Sequence, residues 1–542
     1  MTPRRKAIAY LTEGHALLRA HGLYGRSEEE HFFALDCALN GIEKNGGHPA
    51  ASEAAAAIQA LYEAKRLITA RASIEGRRII LGDWFLSHAV GLALPLRTPA
   101  ITAFMTNELS VIGTNLYTLS PKNSRKEFTL AIDKFIDTLS VGDAAKRLTR
   151  SECDETAPGG LKTTLSVGDA ALGVPPAQYS KLLHKQRYEG YRNPLITAIA
   201  SGYYKTTAAE VAYALSQMES LFAAMYASED ADEKSGWISG ALMSGGKRLR
   251  PILAHLCSGF GAADANSIIH IMSTIELIHS ASLVHDDIVD RSPMRRSRAT
   301  INAEKGDAYA AMCGFKMISD ALNLLSSGVP GQIPEIIAAI PMQMCGGELD
   351  QFDIENKPEL QNEEEYCRRI SSKTAALIEG SCVCGAIAGG ADDEIIKLLG
   401  KYGRELGMLF QLRDDLLDYG APEESGKPVS QDMERGIYSL PLLYAKKVLT
   451  EKNPAEAAKL TAVMSKHIKH APDFRYLNET AENTGGLAYT REAIKTRADR
   501  AGAALDLLPQ GQYTEALTLL LNTLAGSTIT REAAPDALKA VQ

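Results

Sequence analysis

Two acidic motifs with identical spacing are the clearest chemical signal in this chain. Each reads DDxxD, and together they supply the carboxylates of Asp286, Asp287, Asp290, Asp414, Asp415 and Asp418. On a helix, residues i and i+4 lie on one face, so each motif offers a pair of carboxylates in one direction. Mg²⁺ takes oxygen ligands and is often completed by substrate phosphates. We therefore expect Asp286, Asp290 and Asp414 to bind Mg²⁺ that carries a diphosphate.

The residues before each motif decide between a metal site and a solvated acidic turn, which is the commoner meaning of an isolated DDxxD. Apolar residues recur along both preceding segments: Ile268, Ile269, Ile271, Met272, Ile275, Ile278, Leu283 and Val284, then Leu398, Leu399, Leu406, Leu409, Phe410 and Leu412. This pattern predicts two long buried helices that end in acid clusters. Charge in such a place is costly unless it coordinates a partner.

Clusters of cations flank the first motif. Upstream, the sequence GGKRLRP contains Lys247 and Arg250, and downstream Arg295 and Arg296 are adjacent. Arginine binds phosphate with two hydrogen bonds and lysine acts as a point charge. Each cluster alone is more often a solvated basic turn, but their placement around the acidic motifs favours a diphosphate site.

These motifs, in this order, resemble those of the trans-isoprenyl diphosphate synthases, from about residue 235 to about 441. The shared sequences are GGKRLRP at 245–251, ELIH at 276–279, SLVHDD at 282–287, RR at 295–296, GELDQ at 347–351, KTA at 373–375, FQLRDD at 410–415 and GKP at 426–428. The resemblance implies an all-α isoprenoid-synthase bundle, a Mg²⁺ cofactor and two substrates, isopentenyl diphosphate and an allylic diphosphate.

Roles for individual residues follow from this resemblance. The two aspartate motifs and Lys373 are implied to be catalytic. Residues matching Arg295, Lys373, Gln411 and Lys427 are implied to hold the allylic diphosphate, and those matching Lys247, Arg250, His279 and Arg296 to hold isopentenyl diphosphate. Thr374 is implied to bind substrate as well. The implied reaction is ionisation of the allylic C–O bond, attack by the isopentenyl double bond and loss of a proton.

Departures from the family pattern bear on product length. The family's Gly-Asp pair aligns with Gly314 and Phe315, so its aspartate is missing, and Ser297 and Ala299 change a nearby loop. The GELDQ sequence and the absence of a lysine at 436–441 are similar to the long-chain branch.

Small residues one helical turn before the first motif suggest an open path for a growing chain. The resemblance implies that side-chain bulk beneath the first motif sets product length, and that aromatic residues at the positions of Ala281 and Ser282 would close the cavity. We expect them to govern product length, although small residues also serve close helix packing.

Composition limits the alternatives. The chain has 542 residues and a net charge of −8, which argues against general nucleic-acid binding. No signal peptide is recognisable, no apolar run approaches a membrane span, and the 8 cysteines show no zinc spacing. We expect a cytoplasmic enzyme without stable membrane insertion, whose cysteines are reduced.

The first half of the chain lacks these motifs and reads as helical, for example at 51–67. Residues 78–89, which include Gly82 and Asp83, are similar to the Gly-Asp helix of the same family. This half therefore resembles the small, noncatalytic subunit of two-component heptaprenyl diphosphate synthases. We expect an N-terminal helical domain at 1–227, a linker near 228–236, a second break near 151–160, and a catalytic domain at 236–542. The halves would form an internal heterodimer, or the chain a homodimer.

Two other functions fit parts of the sequence. A terpene cyclase shares an upstream acidic motif, but it typically lacks the second DDxxD and does not need Lys247, Arg250 or His279. A noncatalytic regulatory or scaffold subunit is compatible with the changes at Ser297, Ala299 and Phe315. Retention of both complete DDxxD motifs argues against it.

Overall fold

The computed structural model describes residues 3–20, 34–35, 38, 51–68, 76–93, 193–226, 233–296, 298–326, 329, 331–419 and 431–526. Within these residues the protein is all-α, as the sequence predicts, apart from one short hairpin. Lys427 and the predicted break at 151–160 lie outside the described residues.

The helices are numbered here in chain order. The first are α1 (Pro3–Tyr10), α2 (Thr12–Ala20), α3 (Ala51–Ile68), α4 (Gly76–Ala93), α5 (Pro194–Ala200), α6 (Lys205–Tyr226), α7 (Glu233–Met243), α8 (Leu249–Ser258) and α9 (Ala265–Val289). After α9 come strands β1 (Met294–Arg295) and β2 (Arg298–Ala299), then α10 (Ile301–Lys305), α11 (Asp307–Ser326), α12 (Ile333–Ile354) and α13 (Glu363–Ile370). A π-helical turn spans Ser371–Ala375. The remaining helices are α14 (Ala376–Gly389), α15 (Asp393–Leu417), α16 (Gln431–Glu434), α17 (Leu440–Lys452), α18 (Pro454–Met464), α19 (Ala471–Asn483), α20 (Gly486–Leu505) and α21 (Gln512–Gly526).

The predicted helices at 51–67 and 78–89 are confirmed as α3 and α4. The predicted linker is wrong at its end, because residues from Glu233 onward are helical in α7. Acidic and small residues there form the first turn of a helix, where Glu233 is favoured by the helix dipole.

The chain divides into two compact units. The first contains residues 1–185, 216–246 and 265–342, and the second contains 186–215, 247–264 and 343–542. These units are drawn from interleaved segments and do not coincide with the domains 1–227 and 236–542, which stay a prediction.

Helix α9 is the core of the first unit. Its isoleucines and leucines are buried on nearly all sides, which is expected of a helix surrounded by protein. It packs along α11, and α4 lies against both α9 and α11. The expectation that no apolar run approaches a membrane span was wrong for this helix, which is long and apolar enough by composition. Burial of 78% of its most apolar window identifies it instead as a core helix.

Helix α15 is the core of the second unit and packs against α14 and α20. The side chain of Asp392 accepts a hydrogen bond from the backbone N–H of Ile395 at 2.9 Å, which caps the N-terminus of α15. Acidic residues Asp393 and Glu394 in the first turn favour the same start. The other end of α15 is less usual, because it also carries acids.

Candidate active site

The first acid motif closes the C-terminal end of α9. The backbone N–H of Asp290 donates to the carbonyl of Asp286 at 2.8 Å, so helical geometry continues through the motif. Asp286 and Asp290 therefore share one face, and both side chains are partly exposed. The backbone thus has the helical geometry that the predicted pairing requires, and the shared metal site stays a prediction.

The middle carboxylate of the first motif has a different environment. Asp287 is buried, and its Oδ1 accepts a 2.8 Å hydrogen bond from Nε of Arg295. Burial raises the pKa of Asp287, against the opposing effect of Arg295. This pair holds Arg295 beside the motif, with 38% of its side chain exposed.

The two arginines predicted to bind diphosphates lie in a short hairpin. Strands β1 and β2 pair Met294 with Ala299 and Arg295 with Arg298. At the turn, Arg296 has a left-handed backbone (φ 49°) and donates a short hydrogen bond to the carbonyl of Gly245. A Cβ on Gly246, where φ is 137°, would lie only 3.1 Å from the Arg296 guanidinium. Glycine at this position therefore admits both the backbone conformation and the arginine.

The histidine that precedes the first motif is fully buried. Nδ1 of His285 donates to Oδ2 of Asp83 at 2.6 Å, and Nε2 donates to the carbonyl of Ala311 at 3.2 Å. Burial lowers the pKa of His285, but the charge and hydrogen bond of Asp83 outweigh it and the pKa is raised. Both ring nitrogens face acceptors, which suits the protonated imidazole. The sequence singled out Asp83 and His285 without assigning either a role.

The second acid motif closes the C-terminal end of α15 in the same way. Asp414 is exposed and Asp418 is partly exposed. Asp415 is held from the protein side: the hydroxyl of Tyr366 donates to its Oδ2 at 2.6 Å and Nε2 of Gln411 donates to its Oδ1 at 2.6 Å. Burial raises the pKa of Asp415 to about 7, although both hydrogen bonds act against this shift.

A polar chain extends from Asp415 into the π-helical turn. Oε1 of Gln411 accepts a hydrogen bond from the hydroxyl of Thr374 at 2.8 Å. The preceding residue, Lys373, forms an ion pair with Glu348 at 2.5 Å. Single π-helical turns are frequent at functional sites because they redirect side chains. Here the turn places two of the predicted substrate-binding residues beside the second motif.

Lys373 is positioned by a further set of buried groups. Glu348 accepts a 3.2 Å hydrogen bond from Gln351, and Oε1 of Gln351 accepts one of 3.4 Å from Arg369. Arg369 also forms a 3.0 Å ion pair with Glu365. Sequence reasoning missed Tyr366, Glu365 and Arg369, since a tyrosine or an ion pair on a helix has no distinctive local pattern.

Lys247 lies close to the second motif. Burial and the charge of Arg413 lower its pKa, while the charge of Asp414 acts in the opposite direction. Its backbone carbonyl accepts a 3.0 Å hydrogen bond from Asn193. The next residue, Arg248, adopts φ 51°, a strained conformation for a non-glycine residue. Lys247 therefore lies within electrostatic range of Asp414.

The other predicted residues occupy α8 and α9. Arg250 is partly buried in the first turn of α8 and His279 is partly buried on α9. Ala281 is fully buried, and the hydroxyl of Ser282 donates to the carbonyl of His279 at 2.8 Å. Their roles in substrate binding and product length stay predictions.

The location of both motifs at the C-terminal ends of their helices favours binding of a cation. The C-terminal end of a helix carries partial negative charge, so Asp286, Asp290, Asp414 and Asp418 are placed where the helix dipole disfavours them. Neither α9 nor α15 has a basic residue in its last turn. Within the described residues, no group of three or more His, Cys, Asp or Glu side chains forms a complete metal site. Paired carboxylates fit Mg²⁺, which retains waters and accepts phosphate oxygens.

The predicted reduced state of the cysteines is confirmed within the described residues. Cys257, Cys313, Cys345, Cys367, Cys382 and Cys384 are free, and all but Cys367 are buried. Burial raises the pKa of Cys384, so this thiol is an inert part of the core.

Known proteins similar to this chain identify its family. Residues 236–480 match the polyprenyl synthetase family. Octaprenyl diphosphate synthase of Escherichia coli is 38% identical over 275 residues, which are 50% of this chain and 83% of that protein. Heptaprenyl diphosphate synthase component 2 of Bacillus subtilis is 35% identical over 280 residues, 52% of this chain and 78% of that protein.

A solved structure shows the same fold. The polyprenyl synthase from Caulobacter crescentus, complexed with calcium and isoprenyl diphosphate, superposes with a TM-score of 0.55 at 28% identity. The match covers 61% of this chain and 97% of that one. Because the chain is 38% and 35% identical to these two relatives and covers most of the length of each, it belongs to the polyprenyl synthetase family.

Proposed function

We propose that this protein is a Mg²⁺-dependent trans-polyprenyl diphosphate synthase that condenses isopentenyl diphosphate with an allylic diphosphate. The observation that carries the proposal is the pair of acid motifs at the C-terminal ends of α9 and α15, each supported by cations and by buried hydrogen-bond partners. A scaffold protein would have no need for carboxylates held in this way. We place the enzyme in the cytoplasm.

Several groups would together stabilise the departing diphosphate. Mg²⁺, when bound by Asp286, Asp290 and Asp414, would supply positive charge to the departing diphosphate. Arg295 and Lys373 would add charge-assisted hydrogen bonds, because Asp287 and Glu348 hold them in place before substrate arrives. Lys427 has the same proposed role.

The second substrate would bind through other cations. Lys247, Arg250, His279 and Arg296 are proposed to hold isopentenyl diphosphate. The allylic C–O bond breaks and diphosphate leaves with the electron pair; the isopentenyl double bond then attacks the carbocation. Loss of a proton to the released diphosphate restores a double bond. An apolar cavity would protect the cation from water.

The product is proposed to be of medium or long chain, such as a quinone side-chain precursor. Support comes from the names of the relatives, which are octaprenyl and heptaprenyl synthases, and from the small side chains of Ala281 and Ser282. The N-terminal half is proposed to act as a built-in subunit, forming an internal heterodimer within one chain or within each protomer of a homodimer.

One assay tests the proposal. Purified protein is incubated with Mg²⁺, isopentenyl diphosphate and one allylic primer at a time, and the products are sized. We expect prenyl products of medium or long chain with a short primer, and none after chelation of the metal. A protein that makes no prenyl product with any primer contradicts the proposal, as does a cyclised hydrocarbon product.

A further inference from the structure

A buried hydrogen bond joins the N-terminal half to the helix of the first acid motif. Asp83, on α4, accepts a 2.6 Å hydrogen bond from His285, on α9. Both side chains lie in the first compact unit, with 1% of His285 and 9% of Asp83 exposed. The two residues are 202 positions apart in the sequence. A buried hydrogen bond of this kind fixes its partners firmly, because removing one side chain leaves the other buried polar group without its partner.

Helix α11 shapes the pocket for the same histidine. A Cβ on Gly314 would lie 2.1 Å from Nε2 of His285, so only glycine leaves room for the ring. The ring of Phe315 packs beside it, with centroids 4.9 Å apart. Thus α11 provides space, an aromatic contact and a carbonyl, but its Gly-Phe pair offers no carboxylate. The Gly-Asp pair of α4 provides the carboxylate.

The position of His285 on α9 links this pocket to the metal-binding carboxylates. Successive residues of a helix are separated by about 100° around its axis. His285 and Asp287 therefore point about 100° to either side of Asp286. One is anchored by Asp83 and the other by Arg295. The two anchors together set the rotation of the last turn of α9.

We propose that Asp83 is a positioning residue for the first acid motif, supplied by the N-terminal half and acting through His285. This inference rests on the proposed function. It gives the N-terminal half a defined role, in which α4 holds the final turn of α9 so that Asp286 and Asp290 face the diphosphate. Groups that orient metal ligands typically affect metal affinity or activity by about 10–100-fold.

The test compares two substitutions of Asp83 in the full chain. Asp83→Leu removes the hydrogen-bond acceptor at similar size, whereas Asp83→Asn retains an oxygen that accepts from His285. Amide hydrogen exchange of residues 286–290 is measured in metal-free protein, and binding of Mn²⁺ with inorganic diphosphate is measured by electron paramagnetic resonance. We expect faster exchange and about 10–100-fold weaker Mn²⁺ binding for Asp83→Leu. Asp83→Asn is expected to lie closer to wild type in both measurements.

A double substitution tests whether Asp83 acts through His285. Adding Asp83→Leu to His285→Leu is expected to cause no further loss of Mn²⁺ affinity, since the contact is already absent. Independent, additive losses overturn the proposal. So does an Asp83→Leu protein that is less stable but binds Mn²⁺ as tightly as wild type.

Asp320→Leu is the matched control. Asp320 is a buried aspartate of the same unit, bound by Lys316 at 2.7 Å and by Tyr226 at 2.5 Å, and it does not contact His285. Its loss is expected to lower stability without weakening Mn²⁺ binding; equal weakening would mean general destabilisation and overturn the inference. Wild-type protein that binds Mn²⁺ and diphosphate but forms no prenyl product would reject the proposed function alone. Wild-type protein that binds no Mn²⁺ would overturn the positioning role.

Discussion

The hydroxyl of Tyr366 and the carboxylate of Asp415 form a 2.6 Å hydrogen bond beneath the second acid motif. Tyr366 is 1% exposed, and burial together with the charge of Asp415 raises its pKa well above the usual value. The phenol therefore stays a donor at any working pH. It holds Asp415 on the protein side and leaves Asp414 and Asp418 toward solvent.

Replacing this tyrosine tests the support of the second motif. Tyr366→Phe removes one hydrogen bond to a carboxylate, a loss of about 1.5–3 kcal/mol. We expect kcat to fall by about tenfold or more with little change in KM, because the substrate contacts are retained. Tyr402→Phe is the control, since the Tyr402 hydroxyl donates to the carbonyl of Leu517 at 2.9 Å. Equal effects of the two changes would argue against a specific role.

Removing one carboxylate from either motif tests the metal assignment. Asp286→Ala and Asp414→Ala are each expected to lower turnover by about 10²-fold or more while the far-ultraviolet circular dichroism is unchanged. Glu394→Ala changes an exposed acid at the other end of α15 and is expected to have no effect. Near-normal activity of either aspartate variant would reject Mg²⁺ binding at that motif.

A substitution in α8 tests the separation of the two substrate sites. Arg250→Ala is expected to raise KM for isopentenyl diphosphate by about one to two decades, the cost of about 1.5–3 kcal/mol for a lost charge-assisted contact. KM for the allylic primer should change far less. Initial rates with each substrate varied in turn provide the measurement. An equal rise for both substrates would contradict separate sites.

A larger side chain at position 281 tests the control of product length. Ala281 is fully buried on α9, so Ala281→Phe adds a ring where close packing leaves little room. We expect shorter products while a short primer is still consumed. Overpacking costs about 1–3 kcal/mol, so Ala281→Leu serves as a milder companion. An unchanged product distribution in folded variants would show that Ala281 does not line the chain path.

A buried histidine in α8 predicts sensitivity to acid. Both ring nitrogens of His255 are buried without a hydrogen-bond partner among the described residues, and burial lowers its pKa to about 4. Below its usual pKa of 6.5 the unfolded chain binds a proton that the folded protein does not. Folding stability therefore falls as pH drops from 6.5 toward 4.

Urea denaturation at pH 7 and pH 5 measures this effect. At pH 5 this histidine lowers the free energy of unfolding by about 2 kcal/mol. His255→Leu is expected to remove that part of the loss. His467→Leu, at an exposed position, should leave the acid sensitivity unchanged. A wild-type pH dependence in the His255 variant would contradict the prediction.

The sequence was sufficient for the class of fold and for the composition of each motif. Helical spacing predicted that Asp286 and Asp290 lie one turn apart on a continuous helix, and apolar periodicity predicted that α9 and α15 would be buried. Both predictions depend on local geometry, which is the same wherever a helix occurs.

Contacts between residues on different helices could not be predicted from local helical geometry. The contact of Tyr366 with Asp415 joins residues on two helices, and the Lys373–Glu348 pair depends on a π-helical turn. The predicted linker extended too far, into the helical residues from Glu233 to Gly236, because a charged, small-residue sequence is compatible with both a loop and a helix start. Tertiary packing decides such cases.

The 202-residue separation of Asp83 and His285 has a consequence for biosynthesis. Synthesis at about 5–20 residues per second places about 10–40 s between the appearance of these two residues. Helix α4 can fold against α3 during that interval, because contacts near in sequence form early. Helix α9 would therefore be synthesised when α3 and α4 have already packed together. The order of the two halves along the chain thus also sets the order in which they fold.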